Sequence, residues 1–192
     1  MTGMPTITAR NPAGIGPGRL ILVVGPSGAG KDTLLSLARA ACAENRNIVF
    51  LRRIVTREAS SSEDNDELSP DAFHKKLAAG DFAMHWEAHG HLYALPRSLE
   101  DDIRAGRTVV ANVSRMVVNA LRRAYGDVVV VSITAPSHVL AARLAMRARS
   151  SDGRIENRLQ RVVDEPAPDV TILNVDRAED HVRRLLRVIR GD

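Results

Sequence analysis

Apolar residues in this chain come in short unbroken runs that alternate with stretches of helical period, and this order predicts a parallel sheet flanked by helices. Arg19-Leu-Ile-Leu-Val-Val24 is apolar without a gap after its first residue, as suits a strand covered on both faces. Over 31–44 the positions Leu34, Leu35, Leu37, Ala38 and Ala41 give one apolar helix face. Further strands are expected at 48–51, 109–111, 128–133 and 170–173, and further helices at 98–105, 116–125, 137–148, 156–163 and 179–189. Ser69 followed by Pro70 predicts a helix running to Gly80, with serine as cap and proline in the first turn. Residues 82–93 read as a small β ribbon turning near Gly90, and the polar, aperiodic stretch 59–67 reads as loop.

The first strand runs into Gly25-Pro-Ser-Gly-Ala-Gly-Lys31-Asp32, a phosphate-binding loop of the form G-x-x-x-x-G-K with aspartate where serine or threonine is usual. Its glycines let backbone N–H groups converge on phosphate oxygens, and the helix that follows adds positive potential at its start. Gly25, Pro26, Ser27, Gly28, Ala29, Gly30, Lys31, Asp32 and Thr33 are therefore the expected nucleotide-binding residues, with Lys31 reaching the terminal phosphates. Asp32 has two readings. As a hard oxygen donor it is a magnesium ligand, and as a first-turn carboxylate it favours the helix dipole while Thr33 supplies any hydroxyl required.

The chain has 192 residues, enough for one domain with a small insertion. Its net charge of +4 rests on arginine, since only Lys31, Lys75 and Lys76 among the 27 basic residues are lysine. Guanidinium groups suit a protein that handles several phosphates. Nucleic-acid binding is not expected, because there is no dense basic run and aromatics make up 3% of the residues. No apolar run could span a bilayer and residues 1–18 lack a secretory apolar core, so that stretch is expected to be a flexible leader. The single cysteine, Cys42, fits a reducing cytoplasm.

Two further clusters carry chemistry. Arg143 and Arg147 are four residues apart on one expected helix, and Arg158 follows across a polar break. A helix–break–helix of this kind can close guanidinium groups onto a transferring phosphoryl. The other cluster lies at expected C-terminal strand ends and on the ribbon, where α/β sheets bind ligands. There Arg57 and Arg115 are candidate clamps for acceptor phosphates, Asn112 and Ser114 for sugar hydroxyls, and Trp86 and Tyr93 for substrate contact or ribbon packing. His85, His89 and His91 lack the cysteine or carboxylate that would complete a metal site.

In the phosphate loop with its Asp32, in Ile54-Val-Thr-Arg57-Glu-Ala-Ser60, Trp86-Glu-Ala-His-Gly90, Val110-Ala-Asn-Val-Ser-Arg115 and Ile155-Glu-Asn-Arg-Leu159, the chain resembles the guanylate-kinase-like nucleoside monophosphate kinases. Within that branch it is most similar to the ribose 1,5-bisphosphate phosphokinases of phosphonate catabolism. The resemblance implies one P-loop kinase domain over 19–192, with an acceptor-binding insertion at about 54–95 and an arginine lid at about 147–158. It implies ATP with magnesium, and catalytic roles for Lys31, Arg143, Arg147 and Arg158. It also implies transfer of phosphoryl to a small sugar phosphate, giving 5-phosphoribosyl 1-diphosphate (PRPP). The tyrosine-bearing segment and the acidic guanine reader of true guanylate kinases are missing, and a site without buried polar readers discriminates bases poorly. A nucleoside monophosphate kinase and a non-catalytic binding module of the same shape stand as alternatives.

Overall fold

Leu20, Leu22 and Val24 pack into one core and Ile21 and Val23 into another, and all five are at most 3% exposed. Alternation with both faces buried is what a continuous apolar run becomes in the middle of a parallel sheet. The computed structural model describes residues 6–7, 14–57, 64–147, 167–175 and 177–192. Its central sheet has the order β10 (Val170–Leu173), β9 (Tyr125–Thr134), β2 (Ile15–Val24), β8 (Thr108–Asn112) and β3 (Ile48–Phe50), with every pairing parallel. The C-terminal ends of all five strands therefore share one edge, where the loops that follow them meet.

Helices cover both faces. α1 (Lys31–Ala41) and α6 (Ala178–Arg190) bury Leu34, Ala38, Leu185 and Ile189 against Ile21, Val23 and Ile133. On the other face α3 (Ser98–Arg104) and α4 (Val118–Ala124) bury Leu99, Ile103, Val118 and Leu121. α5 (Ser137–Arg147) follows β9. α2 (Pro70–Ala79) is capped as expected: Ser69 Oγ accepts a hydrogen bond from the Ala72 amide at 3.2 Å, and Gly80 ends the helix at φ 76°. None of these helices is long and apolar enough to cross a membrane.

The ribbon is the centre of a larger unit. β6 (Phe82–Ala88) and β7 (His91–Pro96) form an antiparallel pair within a second sheet of order β1 (Thr6–Ile7), β6, β7, β4 (Arg53–Val55) and β5 (Asn65–Glu67). Trp86, Tyr93 and Leu95 of this sheet join the same core as Leu20 and Leu22, while Phe73 of α2 packs with Ile54, Phe82 and Ala94.

Several boundaries differ from the sequence reading, and the strand β4 was not expected. Asn65–Glu67, expected as loop, is a strand: it pairs in parallel with β4, so the backbone ladder and not an apolar face holds it. β2 and β9 are longer than their apolar runs, because pairing continues back to Ile15 opposite Tyr125, past a register shift before Arg19. β2 thus begins within the stretch 1–18, and Ile15 is itself buried. The expected helix at 156–163, and with it Arg158 and most of the lid at 147–158, lies outside the described residues.

Candidate active site

Between Val24, the last residue of β2, and Lys31, the first of α1, the chain turns through Gly25, Gly28 and Gly30 at φ 146°, 81° and 83°. A Cβ at Gly25 would collide with the Ile133 carbonyl oxygen, and one at Gly30 with the side-chain amide of Asn174. Glycine is needed there on both counts, backbone angle and space. No side chain caps the start of α1, so its first-turn N–H groups and its dipole form an anion site. Lys31 donates from Nζ to the carbonyl oxygens of Gly25 at 2.9 Å and Pro26 at 3.0 Å, which holds a positive charge at the loop.

The loop is braced from the β10 side by a residue the sequence reading did not single out. Asn174, 4% exposed, donates from Nδ2 to the Ala29 carbonyl at 2.8 Å and from its backbone N–H to Thr134 at 2.7 Å. Arg143 of α5 donates from Nη1 to the Asn174 carbonyl at 3.0 Å and to that of Gly28 at 3.5 Å. One of the three arginines expected to form a lid is thus tied to the loop backbone. Arg147 closes α5. The signal for Asn174 was its place immediately after the last strand, at the ligand-binding edge of the sheet.

Asp32 projects from the first turn of α1 toward β8, where Asn112 donates from Nδ2 to its Oδ1 at 3.3 Å. The Asn112 Oδ1 is buried and has no hydrogen-bond partner among the described residues. Such an atom is rare in a folded protein and marks a place where a donor is expected. Both residues line a cavity of about 590 Å³ whose wall also includes Thr33, Arg39, Arg53 and Asp64. A cavity of this size holds a small molecule.

Of the acceptor candidates, Asn112 is the one that lines this cavity. Tyr93 stacks on Trp86 with ring centroids 5.6 Å apart and planes at 11°, both rings buried. Arg53 lies over the Tyr93 ring at 5.2 Å, and Arg57 donates from Nε to the Tyr93 hydroxyl at 3.4 Å. Trp86 and Tyr93 thus adjoin the cavity through Arg53. Ser114 and Arg115 follow β8: Ser114 Oγ accepts from the Met116 amide at 3.5 Å, and Arg115 opens a 3-10 turn, Arg115–Val117. Arg39, Arg53 and Asp64 were not anticipated, although Arg53 stands two residues before Val55 and four before Arg57, the alternation that puts strand side chains on one face.

Oxygen donors dominate the start of α1. Asp32 and Thr33 offer a carboxylate and a hydroxyl, a donor set suited to magnesium, which keeps most of its shell as phosphate oxygens and water. The described residues contain no group of three His, Cys, Asp or Glu placed to hold a metal by protein ligands alone. Among the ribbon histidines, burial holds His85 below the ordinary imidazole pKa, while His89 sits at the β6–β7 turn with φ 53°.

No protein-family model matches the chain. Among curated proteins, the ribose 1,5-bisphosphate phosphokinase PhnN of Bradyrhizobium diazoefficiens is 59% identical over 194 residues, covering 100% of this chain and 98% of that protein. The protein of the same name from Rhodopseudomonas palustris is 65% identical over 176 residues, covering 92% and 90%. Among solved structures, the guanylate kinase of Anaplasma phagocytophilum aligns with a TM-score of 0.63 at 23% identity, over 91% of this chain and 85% of that one, which is a likeness of fold. With such identity along nearly its whole length, the chain belongs to the PhnN family of ribose 1,5-bisphosphate phosphokinases.

Proposed function

We propose that this protein transfers the γ-phosphoryl group of ATP to the C1 phosphate of ribose 1,5-bisphosphate, giving PRPP and ADP, in the cytoplasm and as a step of phosphonate degradation. The observation that carries the reading is the shared wall of the two sites: Asp32 and Thr33, which follow the phosphate-loop lysine, line the adjoining cavity. An acceptor bound there meets the end of the triphosphate. Its attacking atom is a phosphate oxygen already ionised at neutral pH, so no general base is required, and catalysis becomes alignment plus charge neutralisation.

Lys31 holds the β- and γ-phosphates. Arg143 shapes the loop through Gly28 and Asn174 and, with Arg147 and Arg158, places positive charge around the transferring group. Arg57 and Arg115 are the acceptor clamps, and Asn112, whose buried Oδ1 awaits a donor, takes a sugar hydroxyl together with Ser114. Magnesium bound with the nucleotide supplies charge neutralisation, with Asp32 and Thr33 as the protein groups that would hold it.

The test is ADP release with ribose 1,5-bisphosphate, ribose 5-phosphate and GMP offered in parallel. The bisphosphate is expected to be turned over at least 100-fold more efficiently than GMP, because the site lacks the polar readers that would hold a base. Preference for GMP would establish a nucleotide kinase instead, and no release with any acceptor would favour a binding module. For Asp32, replacement by asparagine is expected to shift the magnesium needed for half-maximal activity upward by about tenfold. An unchanged magnesium titration would leave Asp32 as a first-turn carboxylate alone.

A further inference from the structure

Along α1, Asp32, Ser36 and Arg39 all line the cavity. At spacings of four and three they lie on one helix face, and the rise from the first to the last is about 10 Å. That span is comparable to an extended pentose carrying a phosphate at each end. The near end is the phosphate-loop carboxylate. The far end is cationic. Asp64 receives Arg39 Nη1 on one carboxylate oxygen and Arg52 Nε on the other, the latter at 2.9 Å, so two guanidinium groups share this carboxylate, although Arg52 also reaches Asp66 at 3.0 Å. Arg53, held over the Tyr93 ring, faces the same cavity. Arg39 makes one further weak contact, from Nη2 to the Phe50 carbonyl at 3.5 Å, and its guanidinium lies 5.7 Å from the centre of the Phe50 ring. Burial and the neighbouring Arg52 charge both hold Arg39 below the ordinary arginine pKa.

Resting on the acceptor assigned above, we infer that Arg39 is a specificity residue that holds the C5 phosphate of ribose 1,5-bisphosphate at the far end of the cavity, with Asp64 fixing the guanidinium in place. The C1 phosphate then lies beside Asp32 and Lys31, where the γ-phosphoryl arrives. A phosphate at Arg39 meets three guanidinium groups, Arg39, Arg52 and Arg53, set against two carboxylates, Asp64 and Asp66, and the planar fork of the guanidinium suits its oxygens.

The measurement is the ratio of kcat/KM for ribose 1,5-bisphosphate to that for ribose 1-phosphate, which has the reacting phosphate but not the distal one. Arg39→Ala is expected to lower this ratio about 30-fold, mainly by raising KM for the bisphosphate, as loss of a hydrogen bond between charged groups does. Arg39→Lys, which keeps the charge without the fork, is expected to recover part of the loss. Arg39→Gln reads the same ratio if the alanine variant does not fold. A ratio equal to that of the wild type overturns the inference, whether both acceptors decline together or neither does. A wild-type protein that phosphorylates neither sugar would instead sink the assignment of the acceptor.

Discussion

Replacing Lys31 by alanine is expected to reduce turnover about 1,000-fold or more while leaving the fold intact. The two halves of that expectation rest on different observations. Turnover falls because phosphoryl transfer offers a protein little covalent chemistry to perform, so rate depends on charge placed at the transferring group, and single cationic groups there are worth about 10³–10⁵ in rate. Lys31 is placed for this at the start of α1, with Nζ 2.9 Å from the Gly25 carbonyl. The fold survives because the side chain is only partly buried and donates to carbonyls of its own loop, those of Gly25 and Pro26. The two bonds together are worth about 3 kcal/mol, each taken at the low end for a partly exposed ammonium. In a chain of this length that lowers Tm by roughly 10 °C or less. ADP release and a thermal melt on the same preparation check both halves. Turnover within tenfold of the wild type would remove Lys31 from the catalytic account.

The parallel core could be read from the chain because its strands announce themselves in one dimension. A run such as Leu20 to Val24 has no polar face, and only a strand covered on both sides accommodates it, which is where the structure puts it. The phosphate loop is equally local: its glycines, its lysine and the helix after it are contiguous. What could not be read is what depends on partners distant in sequence. Asn65–Glu67 has no apolar alternation, and its strand exists only because β4 offers a backbone edge. Asn174 is 145 residues from Ala29, to whose carbonyl it donates, and Asn112 is 80 residues from Asp32. Arg39 is an unremarkable arginine on α1 until Asp64, folded across from the second sheet, shows which way it faces. The cavity wall is assembled from such meetings: the sequence reading named Asp32, Thr33 and Asn112 but not Arg39, Arg53 or Asp64, and expected neither β4 nor β5.

The glycine that follows β2 offers a quantitative check on the loop geometry, and Gly25→Ala is expected to be among the most destabilising single-methyl additions available. Two effects add. Gly25 has φ 146°, and a side chain in such a sparsely populated region costs about 1–3 kcal/mol. The new Cβ would also run into the Ile133 carbonyl oxygen, which belongs to β9, the direct neighbour of β2 in the middle of the sheet. A flexible side chain could move aside there; a ladder backbone cannot. Overpacking of this kind adds about 1–3 kcal/mol. Gly90→Ala isolates the first effect, because Gly90 has φ 74° at the β6–β7 turn and nothing within 4 Å of where the Cβ would sit. At roughly 2–4 °C per kcal/mol, Gly25→Ala should lower Tm by about 12 °C and Gly90→Ala by about 6 °C. Binding of a fluorescent ATP analogue should weaken at least tenfold in the first variant, whose loop backbone must shift, and stay near the wild-type value in the second. Equal melting temperatures for the two variants would mean that Gly25 and Ile133 are farther apart than this structure places them, and that the loop leaves the sheet by another path.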